Sequence, residues 1–393
     1  MTSLTAAWTK PLPRSTPWSL PARDLLPRAL AEPAISQQLS LTQWDSVLRQ
    51  ARAASMLGTL GGLVESHGGL ASVPESVRGH LLGGRIAADR KAEAIRWELR
   101  CLQPEIARAR VQPVLLKGAA YIAARTPNAA GRLCNDVDIL VPREHLDRVE
   151  TVLRWQGWVT THLDEYDQRY YRQWMHELPP MQHMRRGSTL DVHHNILPET
   201  VRAPPDPSRL LAQARPLGDG SVFRVLAPHH MVIHSAVHLF SDSEWDTAIR
   251  DLYDLHCLLK HFARDDGQVF WDAVVHESRA LQVSGYVHHA FRYAQSLLGT
   301  PVPRGTHRSL AATAPGAVRQ AALDWMFLHA ATARSTSHRP VRHAVSRAAV
   351  LARSHWIKMP PALLARHLFY KAFLAPREED SQDQGAGAAR RHG

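Results

Sequence analysis

Two aspartates, Asp136 and Asp138, stand one residue apart inside an apolar run that continues to Val141. Successive side chains of a strand point to opposite faces, so this spacing places both carboxylates on one face, about 7 Å apart. Two unpaired charges on a half-buried strand are costly, and a shared divalent cation is the usual solution. The spacing therefore makes metal-assisted phosphate chemistry the first hypothesis.

Two-metal nucleotidyl transfer normally needs a third carboxylate from a neighbouring strand, which completes the second metal site or activates the attacking hydroxyl. Asp191 is the best candidate, because it also lies in an alternating apolar run, Thr-Leu-Asp-Val-His. We predict Asp136, Asp138 and Asp191 as catalytic residues and as ligands of Mg²⁺, with Mn²⁺ as the alternative ion. The corresponding reaction is an in-line attack on an α-phosphorus, with pyrophosphate as the leaving group.

A Lys-Gly pair, Lys117-Gly118, precedes the first aspartate by eighteen residues counted from the glycine. We predict that Lys117 and Arg132 contact phosphate oxygens and that Gly118 lets backbone N–H groups approach the phosphates. A D-x-D pair on its own is usually a turn or a solvated strand end. The lysine and glycine upstream and the third strand aspartate downstream favour a metal site instead.

The composition is that of an ordinary globular protein, with 45% hydrophobic and 21% charged residues among 393. The net charge of +11 favours phosphate-bearing partners, although nucleic acid is not required for this. Three widely spaced cysteines fit a reducing compartment, and neither a signal peptide nor a membrane span is recognisable. We therefore expect a cytoplasmic protein without a membrane partner. P-loop, zincin and serine-hydrolase motifs are absent.

The elements that must position these residues follow from hydrophobic periodicity. Ile95, Leu99, Leu102 and Ile106 form one helical stripe, residues 111–117 form a short strand that turns into a helix at Gly118, and a polar loop leads to the D-x-D strand. We predict the following divisions: an extended proline-rich arm over 1–35, helices over 36–105, an α/β core over 106–200, a proline-rich linker over 201–225, a helical domain over 226–375 and a disordered tail over 376–393. Residues 164–186 show no clear pattern.

Three motifs together resemble the uncharacterised bacterial nucleotidyltransferase family of the polymerase-beta-like superfamily. They are Leu115-Leu116-Lys117-Gly118, Arg132-x-x-x-Asp136-Val137-Asp138-Ile139-Leu140-Val141 and Leu190-Asp191-Val192-His193. The similarity continues through Leu226-Ala227-Pro228, His234-x-x-x-His238, Trp245 and Asp251, and covers roughly residues 110–262. The motifs are weak singly and specific in combination.

The resemblance implies an α+β fold with a minimal nucleotidyltransferase core, in which a small mixed sheet is flanked by helices, with helices before it and a helical domain after it. It also implies that the D-x-D aspartates hold magnesium. One departure concerns the start of the first motif, where the wider superfamily has Gly-Ser or Gly-Gly and this chain has Lys117-Gly118. The serine contact to phosphate is therefore missing, and we expect the lysine to replace it.

The histidines allow several interpretations. His230, His234 and His238 share one helix face and could bind zinc, although we favour a helix packed against the sheet with its histidines satisfied by acids such as Asp251 or Asp254. We include His238 and His193 among the nucleotide-binding residues. For His193, a packed core histidine is an equal alternative.

The predicted function is a Mg²⁺-dependent transfer of an NMP group from an NTP, first of all ATP, to a hydroxyl or phosphate. The acceptor is a small molecule, a peptide or protein, or an RNA end. The alternative is a catalytically degenerate nucleotide-binding partner in a biosynthetic or toxin–antitoxin system. Nucleic-acid binding by the arginines of 334–366 is a further alternative, which we do not favour because no recognised motif supports it.

Overall fold

The computed structural model describes residues 25–161, 165–218, 220–243, 245–331 and 341–373. Most of the predicted extended arm and the whole predicted disordered tail lie outside these ranges, whereas residues 25–31 of the arm are helical and not extended. The described part is a mixed sheet flanked by helices, with further helices before and after it, so the predicted α+β architecture is confirmed.

The sheet has seven strands within the described residues, in the order β3-β4-β5-β2-β1-β7-β6. Strand β2 is central: it pairs in parallel with β5 on one side and antiparallel with β1 on the other. The strands are β1 (Val114–Leu116), β2 (Asp136–Leu140), β3 (Trp158–Thr160), β4 (Met181–His183), β5 (Thr189–His193), β6 (Arg215–Pro216) and β7 (Arg224–Val225).

Alternation in β2 and β5 divides the sheet into two chemically different faces. Val137, Ile139, Leu190 and Val192 are buried in the hydrophobic core on one face. The aspartates of both strands alternate with them and therefore point to the other face. A one-residue shift in register would exchange the two sets, so the apolar residues fix the position of the charged ones.

The helices that precede β1 pack against the sheet through the longest of them. They are α1 (Leu25–Ala31), α2 (Leu41–Ala53), α3 (Leu57–Ser66) and α4 (Glu75–Arg108). Buried Glu98 and Glu105 of α4 both bind Arg186, which follows β4, and Glu105 also accepts a hydrogen bond of 2.9 Å from the Trp158 indole of β3. These contacts attach α4 to the β3–β4 edge of the sheet.

Helices also connect the strands: α5 (Lys117–Ala124), α6 (Leu146–Trp155), α7 (Glu165–Trp174) and α8 (Pro207–Gln213). The unassigned segment 164–186 contains α7 and β4, and the segment 201–225, interpreted as a linker, contains α8, β6 and β7. Strand β7 pairs in parallel with β1 and so extends the sheet. Two-residue strands beside prolines carry no periodicity, which is why long-range pairing alone reveals them. The predicted domain boundaries themselves stay predictions.

The helices after the sheet are α9 (Pro228–Ser241), α10 (Ala248–Ala280), α11 (Ser284–Leu298), α12 (Arg304–Ala311), α13 (Ala317–Ala331), α14 (Val341–Lys358) and α15 (Pro361–Phe373). Helix α9 is buried on nearly every side, as expected of a helix enclosed by other elements, and α10 is kinked at Gly267. None of the helices in the described ranges has the length and apolar character needed to cross a bilayer.

Candidate active site

Three carboxylates lie on one face of the sheet where β2 and β5 run in parallel. Asp138 is the Cα partner of Asp191, and Asp136 is the partner of Thr189 one alternation earlier. Paired residues of neighbouring strands are about 4.8 Å apart, and alternate residues of one strand are about 7 Å apart. The three predicted carboxylates therefore form a compact triangle.

Asp138 is the most enclosed of the three, with 1% of its surface exposed. Its Oδ1 accepts hydrogen bonds from Lys117 Nζ at 2.7 Å and from His193 Nε2 at 3.1 Å. Burial raises the pKa of a carboxyl, but here the positive charge of Lys117 and the hydrogen bond from His193 outweigh burial and lower the pKa of Asp138. Asp138 is therefore an ionised carboxylate.

Lys117 reaches Asp138 from the first residue of α5, because Leu116 at the end of β1 is the Cα partner of Asp138. Its backbone has a φ of 45°, in the left-handed region that residues other than glycine rarely adopt. Such conformations are concentrated at functional sites. Burial lowers the pKa of the Lys117 ammonium, but the charge of Asp138 outweighs burial and raises it.

His193 lies between two carboxylates. Its Nε2 contacts Asp138, and its Nδ1 lies 3.0 Å from Glu177 Oε2. Both ring nitrogens face carboxylate oxygens, an arrangement that favours the doubly protonated imidazolium. Burial lowers the pKa of His193, whereas Glu177 and the hydrogen bond to Asp138 raise it, and the net direction is upward.

Asp191 has a polar atom without a partner. Its Oδ1 is buried and accepts no hydrogen bond from any described residue. Burial, and then the charge of Asp138, raise the pKa of Asp191 to about 7. The same two causes raise the pKa of Asp136. The negative charge at this site is therefore only partly balanced.

The donor set fits a hard divalent cation. Asp136, Asp138 and Asp191 bring three carboxylates together, and among the described contacts Lys117 and His193 both bind Asp138. Carboxylate oxygens are the ligands that Mg²⁺ and Mn²⁺ prefer, and Asp191 Oδ1 is an acceptor that still needs an electropositive neighbour.

Gly118 allows a close approach of side chains. A Cβ atom at this position would overlap Cys134 Sγ and lie 2.7 Å from Arg132 Nη1, closer than Cβ atoms approach such neighbours in folded proteins. The residue is therefore needed for the packing of the loop that leads into β2. Whether it also admits phosphate stays a prediction.

Arg132 is buried and binds α10, one of the helices after the sheet. Its Nε donates to Asp254 Oδ2 of α10 at 2.8 Å, and Asn128 donates to the other oxygen of Asp254. Burial raises the pKa of Asp136, and the Arg132 charge opposes this rise, so the guanidinium acts on the carboxylate site. Its described hydrogen bonds attach the loop before β2 to α10, and phosphate contact stays a prediction.

The three histidines predicted to share one face of α9 do not act as one group. His230 contacts Glu277 of α10 at 3.1 Å, whereas the rings of His234 and His238 stack with centroids 6.4 Å apart. Burial, followed by the charge of Lys117, lowers the pKa of His238 to about 4, so its ring is neutral. The charges of Lys117 and Asp138 also act on His234. His234 and His238 therefore lie near the carboxylate site.

Glu177 is the member of this site that sequence patterns do not single out. It lies in the segment His-Glu-Leu-Pro-Pro, which shows no strand periodicity. Backbone pairing with the end of β5, through a bridge between Glu177 and His193, brings it to the carboxylates. A long-range pairing of this kind leaves no local signal in the sequence.

Comparisons with known proteins add a family assignment. A family model described as "Uncharacterised nucleotidyltransferase" matches residues 40–299. No curated protein matches the chain. Among solved structures, the chain is similar to the crystal structure of JHP933 from Helicobacter pylori. The match covers 60% of this chain and 97% of that chain, with 16% sequence identity and a TM-score of 0.27.

Proposed function

Since the chain belongs to the uncharacterised nucleotidyltransferase family, and is thus a nucleotidyltransferase with a nucleotide substrate, we propose that it moves an NMP group from an NTP to an acceptor hydroxyl or phosphate. ATP is the first candidate for the NTP. The acceptor is a small molecule, a peptide or protein side chain, or an RNA end, and the reaction takes place in the cytoplasm.

The proposed catalytic residues and metal ligands are Asp136, Asp138 and Asp191. The observation that carries this proposal is the direct pairing of Asp138 with Asp191, together with the buried, unpartnered Oδ1 of Asp191. The unpartnered oxygen of Asp191 favours a bound cation. We propose Mg²⁺, with Mn²⁺ as the alternative.

The reaction forms a bond between the acceptor oxygen and the α-phosphorus while the bond from that phosphorus to the pyrophosphate oxygen breaks. When bound, Mg²⁺ would neutralise the charge that develops on the phosphate oxygens. The chain itself contributes fixed carboxylates on rigid strands. Lys117, whose side chain is 24% exposed, holds Asp138 and offers a cation to a phosphate oxygen.

The proposed nucleotide contacts are Lys117, Gly118, Arg132, His193 and His238. His238 is a neutral ring beside the site, so it suits a hydrogen bond to the base or ribose better than a phosphate contact. His193 keeps Asp138 in place and is buried beneath it, so its contact with nucleotide is the most indirect of the five.

The test is incubation of the purified protein with labelled ATP, CTP, GTP or UTP and Mg²⁺, followed by measurement of nucleotide binding and pyrophosphate release. The Asp136→Asn/Asp138→Asn variant should lose pyrophosphate release. Asp45→Asn, which changes an exposed aspartate of α2, is the matched control and should behave as the wild type. Equal pyrophosphate release by the wild type and the double variant would disprove the proposed site.

A further inference from the structure

Beside the catalytic carboxylates, His176, Glu177 and His193 each have a ligand atom within 4.8 Å of the other two. We propose that this group, the His–Glu–His cluster, binds a transition-metal dication of the Zn²⁺ class, separately from the Mg²⁺ carboxylates. The proposal does not rest on the proposed function, because metal binding can be measured without nucleotide or acceptor.

The ligand atoms of the His–Glu–His cluster are close enough for one metal ion to bind all three after small shifts. One ligand atom from each residue lies within 4.8 Å of the other two. Glu177 Oε2 and His193 Nδ1 are already 3.0 Å apart, and the rings of His176 and His193 have centroids separated by 5.4 Å. Zinc–ligand bonds of about 2.0 to 2.2 Å place the ligand atoms of a tetrahedral site about 3.4 Å apart, so the Glu177 and His193 atoms are already close enough and the His176 atom has to approach them by at most about 1.5 Å.

A second observation points to a ligand. The Nδ1 atom of His176 is buried and has no hydrogen-bond partner among the described residues. Burial, followed by the charge of His193, lowers the pKa of His176 well below its usual value, so the ring is neutral and carries a free lone pair. A buried nitrogen of this kind normally has a donor or a metal beside it.

The backbone around the cluster is held in place on both sides. Leu178 N donates to Val192 O at 2.8 Å, and His194 N donates to His176 O at 2.8 Å. These bonds fix the segment that carries His176 and Glu177 against the end of β5. The ligands therefore stand on paired backbone, which restricts how far they can move apart.

The donor set selects the class of metal. Two imidazoles and one carboxylate favour Zn²⁺ and related ions over Mg²⁺, which prefers oxygen, and three protein ligands leave a position open. Binding at His193 Nδ1 requires that the proton on this nitrogen leave. The other nitrogen, Nε2, keeps its proton and its hydrogen bond to Asp138, which is the carboxylate–histidine–metal arrangement found in metalloproteins.

In this arrangement His193 is a positioning residue that connects two sites. An ion held by the His–Glu–His cluster would fix the orientation of the His193 ring, and the ring would fix Asp138. Occupancy of the cluster is therefore expected to change the affinity of the carboxylate site for its own metal.

The test is a zinc titration of the full chain in excess Mg²⁺, against a chelating indicator. The wild type should bind one more equivalent of Zn²⁺ than His176→Ala does, or should bind that equivalent at least tenfold more tightly than the variant. The isosteric Glu177→Gln variant should show the same loss, with circular dichroism as the check on folding. His229→Ala, a histidine that contacts Gln213 outside the cluster, is the matched control. Identical titrations of wild type, His176→Ala and Glu177→Gln would overturn the proposal.

Two further outcomes locate the ion. Co²⁺ added to the wild type should give visible absorption bands that change in His176→Ala, because a ring nitrogen leaves the coordination sphere. Asp136→Asn should keep the zinc equivalent while it loses pyrophosphate release. If Asp136→Asn removed the equivalent instead, the ion would belong to the catalytic carboxylates and the separate cluster would be disproved.

Discussion

The contact between Lys117 and Asp138 is the shortest described ion pair of the site, with a fully enclosed carboxylate and an ammonium 2.7 Å from it. Lys117→Ala should lower the free energy of unfolding by about 2 kcal/mol, since it leaves a buried charge with one partner fewer. Urea unfolding measures the effect. Lys91→Ala, at an exposed position of α4, is the control and should change stability by less than about 0.5 kcal/mol.

A double-mutant cycle separates this contact from general loss of packing. Lys117→Ala combined with Asp138→Asn should cost less than the sum of the single changes, because the neutral amide no longer needs the ammonium. Strict additivity of the two changes would show that the ion pair contributes nothing.

Gly118 provides a second prediction for a single residue. Gly118→Ala should destabilise the protein by about 1 to 3 kcal/mol, because the new methyl group would overlap Cys134 Sγ and the Arg132 guanidinium. Gly62→Ala on α3 is the control: nothing lies within 4 Å of its Cβ position, so the change should be neutral or stabilise by up to about 1 kcal/mol. Thermal unfolding of the two variants compares them directly. An unchanged melting temperature for Gly118→Ala would contradict the close packing.

For single residues, the sequence predicts the features that follow from the alternation of side chains along a strand. The common face of Asp136 and Asp138 follows from a period of two, and Asp191 follows from a second run of the same kind. Glu177 could not be predicted, because only the pairing of its segment with β5 brings it to the site. The packing role of Gly118 was equally invisible, since Cys134 is sixteen residues away.

Among the contacts between elements, those of a single arginine, Arg186, connect α4 with the β3–β4 edge of the sheet. Arg186 binds both Glu98 and Glu105, which are buried, and its own side chain is 15% exposed. Arg186→Met should lower the free energy of unfolding by about 3 to 5 kcal/mol, because two buried carboxylates lose their partner. The neighbouring Arg185→Met, at an exposed position, is the control in urea unfolding. Equal stability of the two variants would mean that the buried carboxylates find other partners.

The elements differ in how far local sequence determines them. Long amphipathic helices such as α4, and β2 with its five-residue alternation, are predictable because the pattern repeats. Strands β6 and β7 are not, since each has two residues and β6 contains Pro216. Their pairing depends on β1, which is about a hundred residues earlier in the chain.

In the whole molecule, both the sheet and the helices that follow it contribute residues to the site. Arg132 connects the loop before β2 with Asp254 of α10, and α9 brings His238 near Lys117 and Asp138. The predicted division into a core and a C-terminal helical domain therefore describes the order of elements along the chain, whereas the residues near the carboxylates come from both sides of it.

A charged cluster around Glu277 joins three helices and makes stability depend on pH. Glu277 of α10 contacts Arg209 of α8 and His230 of α9, and the adjacent His276 also contacts it. Burial raises the pKa of Glu277, but the hydrogen bonds from Arg209 and His230 outweigh burial and lower it to about 2.

The sign of the resulting pH dependence follows from proton linkage. An unfolded glutamate has a pKa of about 4.3, so between about pH 4.3 and 2 the unfolded chain binds a proton that the folded chain does not. The stabilisation is complete above this window and disappears as pH falls through it.

Urea unfolding of wild type and Glu277→Gln should therefore show a stability difference that is constant from pH 5 to 7 and shrinks toward pH 2. Glu93→Gln, an exposed glutamate of α4, controls for the loss of one charge and should follow the wild-type curve. A difference between wild type and Glu277→Gln that persisted unchanged at pH 2 would mean that the carboxylate charge does not hold these helices together.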